Sequence, residues 1–426
     1  MRPSIKTAIA FVLAAAIALA GIPTAATWEV RPGVGSDTNG GGFVTGATGT
    51  DFSQQNSAQV AFTDLVIGAT TTQLTSVLNP FGATSPGNII NITGGAGCTT
   101  GWYAISSVAT ITATMDRSVG TAASVCTGNL GGALATISRA VTNSVDRNSI
   151  FVKATGTYTV SAAQTLTIGL TFTGYTSTRG DNGQVTWTTA TNSIDLVSFN
   201  NANNPPSGTT FNNFIFTDTA GTPGDGFHSI NGTFNPALSL SNCSLSGFNI
   251  GVLGDWQAAS SFLPLTITNT EIKNSVSHGV SNAGPTQIFG SYIHGNGGDG
   301  VRITQANISS PHRPFFITQS TIYNNTGVGI NNQVNQVQGG ATGYGYLVIV
   351  NVNVVGNGGD GIQQTQESVG SYGLFLANSI IDSNGGFGVD QGTSAQLMAF
   401  EVNNFYRSNT SGDTNNWTKG AGSITG

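Results

Sequence analysis

Charge is scarce in this chain. Asp, Glu, Lys and Arg make up 8% of its 426 residues, against about a quarter in an ordinary soluble domain. Basic residues are scarcer still, with 13 Lys and Arg against 19 Asp and Glu, a balance that argues against nucleic acid or an anionic membrane as partner. Only three cysteines occur, and no Cys or His spacing suits a bound metal, so no metal or other cofactor is expected. Neither a Walker pattern nor an EF-hand spacing is present; the stretch Ser36 to Gly42 reads as a turn. Beyond the first 26 residues there is no run of about 18 apolar residues, so no membrane span is expected after them.

Those first residues have the form of a secretory signal. Arg2 and Lys6 form a charged start, Ala8 to Ala20 an apolar core, and Thr24-Ala25-Ala26 a small-residue cleavage site. The sequence therefore predicts residues 1–26 as a signal peptide and a secreted, extracellular or cell-surface protein. Removing it leaves 11 basic against 19 acidic residues. In an exported protein Cys98 and Cys126 are candidates for a disulfide, and Cys243 for a free thiol near the core.

Gly, Asn, Ser and Thr abound instead, and between Leu265 and Gln391 they recur in register with apolar residues. Ile272, Ile293, Ile322, Val354 and Ile381 serve as anchors. Five residues before them stand Ile267, Ile288, Ile317, Ile349 and Leu376; eight after them stand Val280, Val301, Ile330, Ile362 and Val389, each preceded by glycine. Asn269, Gly290, Gln319, Asn351 and Asn378 lie three before the anchors, and Ser275, Asn296, Asn325, Asn357 and Asn384 three after. The patterned unit is constant while the connections vary, as in a stacked repeat with insertions on one side.

Three apolar columns separated by turn columns predict three short strands per coil, each lying on its counterpart at about 4.7–4.9 Å. Like side chains then fall on like, and the asparagines can hydrogen-bond along their column. The expected fold class is all-β: a right-handed single-stranded parallel β-helix, or solenoid. Upstream, Leu240, Asn242 and Leu245 repeat the pattern, as do Phe211, Asn213 and Phe216; downstream, Phe400, Asn403, Tyr406 and Asn409 form a degraded copy.

Residues 27–130 do not follow the columns; alternating apolar runs bounded by Gly, Asn and Pro predict a small β-rich head. A capping helix is expected over 131–145, where Leu134, Ile137, Val141 and Val145 share one face. The β-helix is expected over 131–410, with a tail at 411–426 that is either loose or a pad over the last coil.

The helix, the strand Ile150-Phe151-Val152, the turn Gly156-Thr157-Tyr158 and the later repeats resemble the pectate-lyase-like superfamily of right-handed parallel β-helix proteins over residues 131 to 410. That resemblance implies the fold; its members include polysaccharide lyases, glycoside hydrolases, epimerases, phage tailspikes and non-catalytic surface proteins. Ser277-His278-Gly279 and Val301-Arg302-Ile303 resemble two signatures of the polygalacturonase-type hydrolases, while the Asp-Asp pair those enzymes carry upstream is replaced by Asn269-Thr270-Glu271.

Stacking dictates where chemistry is sought. His278 and Asp299 occupy one column on consecutive coils, and Arg302 follows Val301, so these three are the candidate acid/base and charge-stabilising group. Glu271, Tyr292 and Thr321 precede the anchors while Lys273, His294 and Tyr323 follow them, a mixed patch suited to a sugar chain. Connections from Thr304 to Pro314, Asn331 to Tyr346 and Gln363 to Gly373 add His312, Arg313, Tyr344, Tyr346 and Tyr372 as candidate substrate-binding residues. The sequence reading favours an exported protein that engages an extended glycan as a binding, adhesive or coat component. Its alternatives are a polysaccharide-degrading lyase or hydrolase, and a structural or spike-like homotrimer.

Overall fold

The computed structural model describes residues 26–44, 46, 48–82, 85–199, 208–229, 237–254, 264–306, 314–335, 345–366, 372–392 and 398–426. The chain forms two compact units, dividing between Thr155 and Gly156. The signal stretch read at 1–26 lies outside the described residues but for Ala26. No helix among them is long and apolar enough to cross a membrane.

In the first unit a closed six-stranded barrel runs from Val60–Ile67 to Val125–Leu130. Its core holds Phe62, Leu65, Leu74, Ile90, Tyr103, Ile105 and Leu130, and a disulfide joins Cys98 to Cys126. Thr27–Val30 stands apart from the barrel, pairing in parallel with Ser149–Lys153.

The helix is shorter than the periodicity predicts, spanning Ile137–Asn143 with Thr136 as its N-cap. Gly131 and Gly132 take positive φ, and Leu134 is held extended, bridging Val30 and exchanging backbone hydrogen bonds with Glu29 and Arg31. Leu134 is thus core through strand-like pairing, and Val145 is exposed rather than part of an apolar face. Asp37 fixes the turn before the helix: its carboxylate accepts from the Ala135 and Thr136 amides and the Thr136 hydroxyl. The Ser36 to Gly42 stretch is therefore tied up as structure.

The second unit is a parallel β-solenoid of three sheets. One carries the strands from Thr171–Tyr175 through Leu265–Thr268 to Met398–Val402, the second those from Tyr158–Val160 to Ile424–Thr425, the third those from Gln164–Leu166 to Gly412–Asn415. The anchors pair in one line, Leu245↔Ile272↔Ile293↔Ile322↔Val354↔Ile381↔Tyr406. The other two apolar columns do the same, Ile267 through Leu376 on one sheet and Val280 through Val389 on another. All these side chains are buried. In the earlier coils the interior is aromatic, with Phe172 stacked on Phe211 at 4.6 Å and Trp187 packed among Phe211, Phe214 and Phe216.

The turn columns explain themselves physically. Asn213, Asn242, Asn269, Gly290, Gln319, Asn351, Asn378 and Asn403 all adopt positive φ, the left-handed region that glycine and asparagine tolerate best. The glycine before each third-column residue answers a different need. A Cβ on Gly300 would lie 2.6 Å from Ile322 Cγ2 and 2.8 Å from both Asn325 Nδ2 and the Gly329 oxygen.

At the end of the solenoid the structure corrects the reading of Phe400. Leu376 pairs with Glu401, while Phe400 pairs with Phe375 and stacks on it in solvent at 4.8 Å. Glu401 is buried in a column otherwise apolar, and accepts from Tyr406 Oη at 2.8 Å, Trp417 Nε1 at 2.7 Å, Asn404 Nδ2 at 3.2 Å and the Gly420 amide at 3.0 Å. Trp417 is buried, so the tail is a pad over the last coil.

Candidate functional site

The edge leading into the third sheet carries one residue per coil: Asp195, Asp225, Ile250, His278, Asp299, Val328, Asp360, Phe387. Backbone hydrogen bonds place them in line, for each one's carbonyl oxygen from Asp225 onward accepts the amide following its predecessor. Where this residue has an acceptor, it takes the backbone N–H of the next coil. Asp195 accepts from Asp225 N at 3.0 Å, Asp225 from Ile250 N at 3.0 Å, His278 from Asp299 N at 2.9 Å, Asp299 from Val328 N at 2.9 Å and Asp360 from Phe387 N at 2.6 Å.

The three candidate catalytic residues do come together here. His278 Nδ1 lies 3.7 Å from Asp299 Oδ2, and Arg302 Nη1 lies 2.9 Å from His278 Nε2. Each is also engaged elsewhere. Asp299 Oδ2 accepts from Asn331 Nδ2 at 2.9 Å, and Arg302 donates through Nε and Nη2 to Gln333 Oε1 at 3.1 and 2.8 Å. Both ring nitrogens of His278 therefore face donors. Burial, joined by the Arg302 charge, lowers its pKa against the opposing pull of Asp299. With Nδ1 accepting the Asp299 amide, the neutral form of the ring carries its proton on Nε2, which faces Arg302 Nη1.

A second cluster in the same column was missed. His228 Nδ1 lies 2.7 Å from Asp195 Oδ2 and 3.6 Å from Asp225 Oδ2. Burial and the neighbouring Asp195 raise the pKa of Asp225, whose hydrogen bonds with Asn249 and Ile250 do not offset them. Burial also acts on Asp195, but hydrogen bonds from His228 and the Asp225 amide outweigh it and hold that carboxyl low. Among the described residues this is the one group of three His, Cys, Asp or Glu side chains close enough to share a cation, with one ligand atom from each within 4.8 Å of the others. The sequence carried a signal for it: His228 follows Asp225-Gly226 at the offset by which Arg302 follows Asp299-Gly300.

On the second sheet the outward columns are Glu271↔Tyr292↔Thr321↔Asn353↔Ile380 and Lys273↔His294↔Tyr323↔Val355↔Asp382. His294 and Tyr323 stack face to face at 4.5 Å. Tyr292 is 55% exposed. A groove of about 530 Å³ opens here, lined by Tyr292, Thr321, Tyr323, Asn324, Asn353, Val355 and Ile380. At one end Glu271 is bound by Lys273 at 2.6 Å, by His294 at 3.1 Å and by Ser244 at 3.2 Å. Burial works against its charge, but these partners prevail and lower its pKa. Beyond the other end Asp382 is held by Arg407 Nη2 at 2.6 Å, which lowers its pKa as well.

The variable connections begin later than read. Val301–Ala306, Ile330–Asn335 and Ile362–Gln366 are strands whose mutual pairing extends through Thr304, Gln333 and Thr365. His312, Arg313 and Tyr344 lie outside the described residues. Tyr372 begins the strand Tyr372–Ala377, opposite Gly345. Tyr346 is exposed on the first sheet, opposite Gly373 and apart from the groove. Cys243 is a free, buried thiol whose pKa is pushed up to about 11 by burial.

No family model and no curated protein matches the chain. Among solved structures it is similar to the A-module of the Azotobacter vinelandii mannuronan C-5 epimerase AlgE6, at 15% identity over 66% of this chain and 91% of that one, with a TM-score of 0.38. The catalytic domain of a GH87 α-1,3-glucanase in complex with nigerose aligns at 11% identity over 87% and 89% of the two chains, TM-score 0.36. The periplasmic alginate epimerase AlgG aligns at 12% identity over 64% and 78%, TM-score 0.29. The strand pairing itself makes the second unit a wound parallel β-helix.

Proposed function

We propose that this protein engages an extended glycan laid along the second sheet of its solenoid, as an exported binding, adhesive or coat component. The observation that carries the reading is the groove, in which Tyr323, backed by the stacked His294 ring, and the exposed Tyr292 stand beside the amides of Asn324 and Asn353. Aromatic faces cover the C–H surface of a pyranose while amides and hydroxyls bond its hydroxyl groups. Successive coils repeat the outward positions at about 4.8 Å, so a sugar chain parallel to the solenoid axis meets a new pair of outward side chains at each step. A glycan array on the chain lacking residues 1–26, with a Tyr292→Ala/Tyr323→Ala variant alongside, tests this. Binding weakened at least about tenfold in the variant, a loss of about 1.4 kcal/mol, is expected; no saturable binding to any glycan contradicts it.

A second reading, a polysaccharide-cleaving enzyme, is favoured by one observation: Asp195 and Asp225 converge on His228, whose Nδ1 lies 2.7 Å from one carboxylate and 3.6 Å from the other, in environments that push the two carboxyls in opposite directions. Such a pair suits one carboxylate as base and one carboxyl as acid. His278, Asp299 and Arg302 form the other centre; there Asn331 occupies Asp299 Oδ2 and Gln333 occupies Arg302 Nε and Nη2. Product assays for reducing ends and unsaturated sugars separate the readings. Turnover lost in Asp195→Asn and Asp225→Asn supports the enzyme, whereas binding without product from the parent protein rejects it.

A further inference from the structure

The groove has a property that narrows its ligand: none of the described residues lining it carries a formal charge. They are two tyrosines, a threonine, two asparagines, a valine and an isoleucine. The nearest charges are closed on themselves, Glu271 with Lys273 and Asp382 with Arg407, both at 2.6 Å. Resting on the reading of the groove as a glycan site, we infer that its ligand is an uncharged oligosaccharide, built of hexoses, pentoses or N-acetylated sugars rather than uronates or sulfated units.

The rest of the solenoid supports this. From Gly156 onward the cationic side chains are Arg179, Lys273, Arg302, Arg313, Arg407 and Lys419. Lys273 is held by Glu271, Arg302 by Gln333 and His278, Arg407 by Asp382, and Lys419 by Asp413 at 2.5 Å. Arg179 lies in the turn after Thr171–Tyr175, far along the chain from the groove residues, and Arg313 lies outside the described residues. A polyuronate brings one carboxylate per sugar, and each needs a cation or a cluster of donors to replace its water. An acidic polymer would meet a flank whose ion pairs it must first break, on a chain that is itself net negative. A neutral chain asks only for rings and amides, which the groove supplies.

The test compares β-1,4-linked and β-1,3-linked glucose hexamers, and a chitin-type N-acetylglucosamine hexamer, with mannuronate and galacturonate hexamers. Each is titrated calorimetrically into the chain lacking residues 1–26 at 50 and 300 mM NaCl. At least one neutral hexamer is expected to bind with an affinity unchanged by salt, at least tenfold above either uronate, and to lose that affinity in Tyr292→Ala. Asn353→Lys, which places a cation in the groove, is expected to raise uronate affinity severalfold. A uronate that binds as well as or better than every neutral hexamer, and does so through Tyr292, overturns this inference while leaving the glycan site intact. Saturable binding of any hexamer that Tyr292→Ala and Tyr323→Ala leave unchanged, or no binding by any hexamer, overturns the site itself and this inference with it.

Discussion

Asn325 Nδ2 donates to Asn357 Oδ1 at 2.9 Å across 32 residues of sequence, and the contact is one rung of a ladder. Asn296 donates to Asn325, Asn357 to Asn384, and Asn384 to Asn409, at 2.8 to 3.0 Å. Each of these amides from Asn325 on also donates to a carbonyl oxygen of the preceding coil, that of Ile293, Ile322, Val354 or Ile381. The Oδ1 atoms further accept backbone amides, so the buried asparagines from Asn296 to Asn384 are all bonded along the column.

Breaking that ladder in the middle is costly. Asn325→Ala strands the Asn296 amide group and leaves the Ile293 carbonyl without its side-chain donor. At about 1–3 kcal/mol per buried unsatisfied group, a loss of about 3 kcal/mol or more is expected. The urea midpoint reads it, and an unchanged midpoint contradicts the ladder as a stabilising element.

The glycine column yields a paired comparison. Gly300→Ala forces a methyl against Ile322, Asn325 and the Gly329 carbonyl, and overpacking of this kind costs about 1–3 kcal/mol. Gly221→Ala meets nothing nearer than Asn192 Oδ1 at 3.9 Å, and is expected to leave thermal stability unchanged. Equal effects at the two positions argue against close coil contact as the reason for the glycine.

Glu401 is expected to latch the C-terminal pad. Glu401→Leu restores an apolar column but leaves Trp417 Nε1, Tyr406 Oη and the Gly420 amide without their acceptor. Release of Trp417 to water follows, seen as red-shifted fluorescence and earlier proteolysis after Lys419. A variant whose Trp417 stays as shielded as in the parent chain shows that packing alone holds the pad.

His278 supplies a pH dependence with a definite sign. Its folded pKa is lowered from 6.5, so between that lowered value and 6.5 the unfolded chain binds a proton that the folded ring does not. This contribution is therefore intact above 6.5 and declines as pH falls towards the folded value. His278→Asn keeps an acceptor for the Asp299 amide and removes the titration. The parent chain is expected to lose more Tm than the variant between pH 7.5 and 5.5; equal losses contradict the assignment.

Much of this was legible because a coil repeats its side-chain directions. The interval of five from Ile267 to Ile272 and the interval of eight to Val280 recur through the five coils from Ile267 to Val389, so Ile293 and Ile322 could be placed one above another from spacing alone, and with them His278, Asp299 and Arg302. Glu401 was missed although the interval of five before Tyr406 points at it. Preference for an apolar side chain chose Phe400 instead, and a one-residue shift in a strand exchanges the inward and outward faces. Asp195 and His228 escaped for another reason: the early coils are filled by large aromatic residues such as Trp187 and Phe227, whose pattern departs from the Ile/Val columns downstream. The helix was overextended because 3.6-residue periodicity is blind to Leu134 being buried by strand pairing. No spacing rule shows that the outward Tyr292 and Tyr323 border a groove, since that depends on the small side chains beside them.

The most direct test of the glycan reading follows the tyrosine rings themselves. With ring-¹³C-labelled tyrosine in the chain lacking residues 1–26, resonances assigned by single substitution are followed during titration with the tightest-binding oligosaccharide from the array. Tyr292 and Tyr323 are expected to shift together with one saturation curve, while the buried Tyr103 and Tyr175 stay fixed. Saturable binding that leaves both Tyr292 and Tyr323 unmoved contradicts the account.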